Sequence, residues 1–243
     1  MLIFSASSQK TSPGSSLPRE IVRVFAVLAL FAGTAQPALA ELDQRGESWV
    51  TYSLQTAPPT NTGFVGTLDN QWRWTSDRNQ LALRPMVGYQ LSPDLTAFLG
   101  YQFTEDLRDE GPNREEHRPL QQLTLRRLVT DNLMVSLRWR QEQRFGWEDG
   151  VGHRSRLQLR LMWGPNGPTS TVQLVLWHEY FHNLNKVSWL RQSYFDQDRT
   201  FVGAVVQTPW NTRFELGYLS IWFNDNKPDQ LSHCVSFVAT TEI

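Results

Sequence analysis

The chain has 243 residues and a formal net charge of -1, with Lys+Arg 23 against Asp+Glu 24, which excludes whole-protein attraction to nucleic acid. Hydrophobic residues make up 40% and mean hydropathy is -0.42, yet aromatics reach 12% with 10 Trp, a combination foreign to disordered chains. One cysteine, Cys234, excludes an internal disulfide and a multi-cysteine zinc site and reads as a small apolar filler.

Residues 1–20 are rich in Ser and Pro and carry Lys10 and Arg19. Arg23 then precedes a short apolar run that ends in Gln36-Pro37-Ala38-Leu39-Ala40. A positive start, an apolar stretch of about ten residues and a small-x-small terminus form a secretory signal peptide, with cleavage expected after Ala40. The alternative, a membrane helix, needs about 18–20 uninterrupted apolar residues. The expected mature domain is 41–243, with a charge of -3 once Lys10, Arg19, Glu20 and Arg23 are gone.

From Leu42 onward, apolar residues recur with period two over segments of about 9–13 residues, the length of membrane-crossing β-strands. Leu81, Leu83, Pro85, Val87, Tyr89 and Leu91 oppose Ala82, Arg84, Met86, Gly88 and Gln90. Leu157, Leu159, Leu161 and Trp163 oppose Arg154, Arg156, Gln158 and Arg160, and Phe214, Leu216, Tyr218 and Trp222 oppose Arg213, Glu215 and Gly217. Candidate strands fall near 47–55, 66–75, 80–91, 95–105, 116–129, 132–145, 153–163, 170–181, 195–208, 212–223 and 230–241. Short turns (92–94, 130–131, 164–169, 208–211) alternate with longer polar connections (106–115, 146–152, 182–194, 224–229).

Two architectures fit this pattern. In a soluble periplasmic β-sandwich, such as a binding protein, the apolar faces pack on a second sheet; in an outer-membrane barrel they meet lipid and the polar faces turn inward. Strand length favours the barrel, as do aromatics toward segment ends (Trp74, Tyr89, Tyr101, Phe103, Phe145, Trp163, Tyr180, Trp210, Tyr218, Trp222). So does the basic composition, because twenty of the 23 basic residues are arginine, the side chain suited to crowded, ion-paired interiors. The expected fold is all-β: a closed antiparallel transmembrane β-barrel. Eleven candidate segments against the even counts of bacterial barrels give about twelve strands, with ten as the alternative.

The expected lumen-facing polar network is Arg84, Arg126, Arg138, Arg140, Glu142, Arg144, Arg154, Arg156, Arg160, Glu179, Arg199, Arg213 and Glu215, all of polar-face parity. Cross-strand Arg/Glu ladders that plug the lumen are the structural reading; a porin-like channel or pocket for a small anionic solute is the functional one. A third class is an outer-membrane lipase or deacylase, which needs a hydroxyl nucleophile, His and a carboxylate or amide on neighbouring strands. His178 and His182 lie on the lipid-side parity of Trp177-His178-Glu179-Tyr180-Phe181-His182-Asn183, without a convincing serine partner. The expectation is a non-enzymatic protein with no catalytic residue, cofactor or metal ligand.

An ordered series of short stretches adds a resemblance: Leu83-Arg84-Pro85-Met86-Val87-Gly88-Tyr89, Glu116-His117-Arg118-Pro119-Leu120-Gln121-Gln122, and Arg138-Trp139-Arg140-Gln141-Glu142-Gln143-Arg144-Phe145. It continues through His153-Arg154-Ser155-Arg156-Leu157-Gln158-Leu159-Arg160, Glu179-Tyr180-Phe181-His182-Asn183-Leu184-Asn185, Phe195-Asp196-Gln197-Asp198-Arg199 and Glu215-Leu216-Gly217-Tyr218. In these the chain resembles an uncharacterised family of bacterial outer-membrane-type barrels, a domain of unknown function. Asp198 stands where the family tends to Asn, and the last strand ends Thr-Glu-Ile rather than in an aromatic residue. The resemblance implies a barrel in the outer membrane of a Gram-negative-type envelope, with lipid and the barrel assembly machinery as partners and no established activity.

Overall fold

Period-two alternation makes each segment a ribbon with one greasy and one polar edge, and such ribbons are stable only when every backbone group is paired and each face finds its own medium. In a computed structural model, which describes residues 43–59, 62–75, 78–109, 111–190, 194–224 and 229–243, the chain meets both demands with one closed sheet. The expected signal peptide lies outside the described residues.

The strands are β1 (Asp43–Gln55), β2 (Gly63–Trp74), β3 (Arg78–Gln90), β4 (Leu95–Arg108), β5 (Arg114–Thr130), β6 (Leu133–Phe145), β7 (Val151–Trp163), β8 (Val172–Asn183), β9 (Phe195–Gln207), β10 (Thr212–Phe223) and β11 (Gln230–Glu242). Sequential neighbours pair antiparallel. A short 3-10 turn (Gly167–Thr169) interrupts the connection from β7 to β8. The single closed sheet takes the place of the two-sheet sandwich alternative.

The barrel has eleven strands, which corrects the expected twelve and the alternative ten. It also corrects the purely antiparallel closure: β1 and β11 run the same way and pair in parallel from Asp43↔Gln230 to Gln55↔Glu242. An even count is required only when first and last strands meet antiparallel. Here a seam in register along both whole strands satisfies the two free edges without a further strand. The expected alternation of short and long connections is also weaker, because β4 and β5 run on through Arg108 and from Arg114 and leave only 109–113 between them.

Inward positions are not uniformly polar. Trp49, Val175, Phe201, Val205, Leu219, Ile221 and Cys234 are buried together, with Met162, Trp177 and Phe223 packed against them. This apolar wedge lines the β8–β11 and β1 side of the interior. Phe201 fits because its ring lies over Gly203 and Gly217, which face each other across β9 and β10; a Cβ on Gly217 would come 2.5 Å from the ring's Cζ.

The seam yields the first prediction. Val50 and Phe237 are direct partners across it and have outward parity, while the native Cys234 is buried on the opposite face. A Val50→Cys/Phe237→Cys double variant is expected to cross-link with a short bis-methanethiosulfonate reagent, because paired strands lie only about 5 Å apart. An intervening twelfth strand would double that separation and abolish the cross-link on denaturing gels.

Candidate functional site

Charged side chains of inward parity on β5 to β9 converge on one level of the lumen. Glu142, on β6, is fully buried and accepts hydrogen bonds from Arg154 (2.6 and 2.9 Å) and Arg156 (2.7 Å) on β7. Glu179, on β8, accepts from Arg156 (3.0 Å) and from Arg138 (2.7 Å) two strands away on β6. Arg154 reaches past β8 to Asp196 at 2.9 Å. Glu116, on β5, accepts from Arg118 (2.5 Å) and Arg144 (3.0 Å).

This belt is continuous because arginine has several donors in one plane and can serve two acids at once. Arg156 bridges Glu142 and Glu179, and Arg154 bridges Glu142 and Asp196. Phe181 is fully buried at the same level, under the guanidiniums of Arg156 (4.3 Å to the ring centre), Arg199 (4.4 Å) and Arg154 (5.2 Å). The lumen is therefore filled at this level by stacked cations and ion pairs.

Two smaller groups flank the belt. Asp69 accepts from Ser53 (2.6 Å) and Arg84 (2.6 and 3.0 Å), while Arg84 also donates to Gln102 at 3.2 Å. Toward the other end Arg160 crosses from β7 to Glu215 on β10, and Arg213 donates to Gln55 at 3.3 Å.

Arg140 has no bonded acid. It is 1% exposed, its Nε and Nη2 donate only to the neutral Gln122 (2.8 and 2.5 Å), and its Nη1 has no partner. Arg118 Nε and Arg138 Nε are also buried without partners. Positive charge thus exceeds what the bonded acids neutralise.

All thirteen residues expected in the lumen have inward parity. Arg138, Arg144, Arg154, Arg156, Glu142 and Glu179 belong to the belt; Arg140 and Arg199 sit beside it on neutral partners; Arg84, Arg160, Arg213 and Glu215 form the flanking groups. Arg126 bonds to none of these groups: it is exposed near the end of β5, close enough to Arg160 and Arg213 to repel them, and its backbone N–H donates to the Asp94 carbonyl at 2.7 Å. Sequence reasoning missed Asp69, Glu116, Arg118 and Asp196. Glu116 and Arg118 share the parity of Arg126 and were readable on that ground. Asp196 was not, because it is the extra residue of a bulge opposite Phe181 and His182.

Above the belt, at the end holding the connections from β2 to β3, β4 to β5, β6 to β7 and β8 to β9, lies a cavity of about 290 Å³. Arg73, Arg118, Arg144, Arg154 and Arg199 line it together with Glu47, Asp106, Glu116, Asp196 and the rings of Trp49, Trp147 and Trp189. Its chemistry suits an anion.

Removing one member of a buried pair leaves the other charge bare, at a cost of about 3–5 kcal/mol. Glu142→Gln, which strands both Arg154 and Arg156, is expected to lower stability by about that much in urea unfolding followed by Trp fluorescence. Glu215→Gln, at a partly exposed site, is expected to lose only about 1 kcal/mol. Equal losses would mean that the belt is no more desolvated than the flanking pair.

Comparison with known proteins adds kinship without an activity. The family model described as "Protein of unknown function (DUF2490)" matches residues 46–232. An uncharacterized protein of Methylorubrum extorquens is 30% identical over 200 residues, covering 81% of this chain and 86% of its own length. No solved structure matches. Since the family match runs from within β1 to the first residues of β11, and so takes in all of the charged belt, the chain belongs to the DUF2490 family.

Proposed function

We propose that this protein is an outer-membrane β-barrel whose lumen is closed by its own arginine–carboxylate belt, a structural barrel rather than an open porin or an enzyme. The carrying observation is the outer surface. Val87, Leu99, Leu125, Leu137, Leu159, Leu174, Val202 and Leu216, from eight consecutive strands, are all exposed, Leu99 by 63%. Monomeric soluble proteins rarely expose contiguous apolar patches above a few hundred Å², and a girdle of this kind has hydrocarbon as its natural solvent.

Aromatic rings flank the band at both ends. Phe64 and Tyr89 meet edge to face at 5.2 Å at one end, where Trp210 is also exposed in the β9–β10 turn. Trp72 and Trp74 stack at 6.4 Å on the other. Phe64 and Trp74 mark the two ends of β2; ten residue steps at about 3.3 Å and a tilt of about 40° put them about 25 Å apart along the axis, the height of a membrane-embedded band.

Several polar side chains on this face are paired with one another, Asn70 Oδ1 and Trp222 Nε1 being without a partner. Trp139 donates to Ser155 (2.9 Å), Gln121 and Gln143 exchange bonds (3.1 and 3.2 Å), His178 meets Thr200 (2.9 Å), and Tyr218 meets His233 (2.5 Å). Groups satisfied in this way tolerate the edge of a bilayer. The same pairing occupies His178, and His182 stacks between Tyr180 (6.2 Å) and Tyr194 (6.1 Å), roles that fit an interfacial girdle rather than acyl transfer.

Unboiled protein extracted in detergent is expected to run faster than boiled protein on gels, and trypsin shaving of intact cells is expected to cut only end connections. A freely dissolved, compact monomer in detergent-free buffer would overturn the membrane reading. In planar bilayers no steady open channel is expected; a steady anion-selective conductance would show an open path past Phe181 and favour the porin-like reading.

A further inference from the structure

The cavity at the belt's outer side contains two arginines whose hydrogen bonds go to amides, with Glu47 attracting Arg73 and Glu179 attracting Arg199 only from beyond ion-pair distance. Arg73 donates to Gln71 (Nε, 2.8 Å) and Gln80 (Nη1, 2.7 Å). Arg199 donates to Gln197 (3.2 and 3.3 Å). Every one of these acceptors is a neutral amide, and among the described residues neither guanidinium has a carboxylate at ion-pair distance.

Both cations rest on the same ring: the guanidinium carbons of Arg73 and Arg199 lie 4.2 and 4.8 Å from the centre of Trp49, and so at most 9.0 Å from each other. Like charges held this close repel, and an arrangement of this kind persists because amides and an aromatic face fix it in place. A carboxylate or phosphate carries its central atom about 4 Å from each guanidinium carbon it binds, so one such group serves both arginines where those carbons lie within about 8 Å of each other.

The cavity's acids are bonded elsewhere, Asp106 to Gln80 among them, although Glu47 attracts Arg73 from beyond ion-pair distance. Glu116 is held by Arg118 and Arg144, Asp196 by Arg154, and Glu47 by the Trp49 indole N–H at 2.8 Å. Five arginines against four acids leave the lining formally positive. A second stretch of wall is apolar: Trp189 and Leu190 from the segment after β8, and Phe223 from β10. A ligand suited to both walls has an anionic head and a flat or apolar body. A volume of about 290 Å³ corresponds to the liquid share of about ten waters, room for on the order of ten non-hydrogen atoms.

We propose that this cavity is a binding site for a small organic anion, its carboxylate or phosphate held between Arg73 and Arg199 and its apolar body against Trp49, Trp189 and Leu190. The site does not depend on the membrane reading, since it is built wholly from the barrel's interior and end connections. Benzoate fits the volume and both walls, and is the probe.

The test is calorimetric titration of the folded full-length protein with benzoate, with benzyl alcohol as the neutral isostere and inorganic phosphate as the head group alone. Saturable one-to-one benzoate binding is expected, with benzyl alcohol weaker by about tenfold or more, as loss of a paired charge predicts. Phosphate is expected to compete weakly. Arg73→Gln and Arg199→Gln are each expected to weaken benzoate at least about tenfold, whereas Arg126→Gln, on an exposed site at the other end, leaves it unchanged. Trp189→Ala, outside the barrel wall, is expected to weaken benzoate but not phosphate, and it keeps the test decisive if an arginine variant fails to fold. Absence of saturable binding, equal binding of benzyl alcohol, or benzoate affinity unaltered in folded Arg73 and Arg199 variants would each overturn the proposal.

Discussion

A charge removed from water must be met by an opposite charge or a fixed dipole, and that requirement organises the interior of this barrel. Bringing Glu142 and Glu179 to near-zero exposure is tolerable only because three arginines on two strands converge on them. Several bonds skip a strand: Arg138 to Glu179, Arg154 to Asp196, and Arg160 across two strands to Glu215. Such struts hold non-adjacent strands at fixed separation, a task that packed methyl groups perform in a solid core. Arginine suits it better than lysine, because a planar fork reaches two acceptors without losing its charge. The cost is specificity of geometry, since each acid that moved would leave its partners bare.

The interior is a composite rather than a polar tube. The wedge of Trp49, Phe201, Leu219 and Ile221 fills one side, and guanidiniums press against rings there: Arg199 touches both Trp49 and Phe181, and Arg154 and Arg156 reach Phe181 from β7. Aromatic faces stabilise those cations without neutralising them. The outer surface is organised in the reverse sense, with apolar residues in the open and several of its polar groups tied together in pairs such as Gln121 with Gln143.

Much of this was legible in the residues. Alternation located all eleven strands to within about four residues at each end, and parity placed Arg140, Glu142 and Arg156 on the inner face, because side-chain direction in a strand is fixed by counting. Two things resist counting. Closure depends on which edges meet, and a parallel seam between β1 and β11 leaves no mark on either strand's pattern; the rule of even counts then argued against the eleven segments already in view. Pairing partners are also hidden, because they depend on register and bulges. The extra residue that brings Asp196 to Arg154 follows from a slip opposite Phe181, and nothing in Phe195-Asp196-Gln197 announces it. The wedge was misjudged for a related reason: Val175, Phe201 and Val205 lie at inward parity among polar neighbours and read as noise until the strands closed around them.

An odd number of strands separates the barrel's entry from its exit. Asp43 begins β1 at one rim and Glu242 ends β11 at the other, although the two strands lie side by side. A linker that joined them for circular permutation would have to climb the height of the wall, roughly 30 Å for a tilted strand of this length. Reporter groups attached beyond each of these ends would face different compartments, so the pair would read out orientation in any partition the barrel crosses.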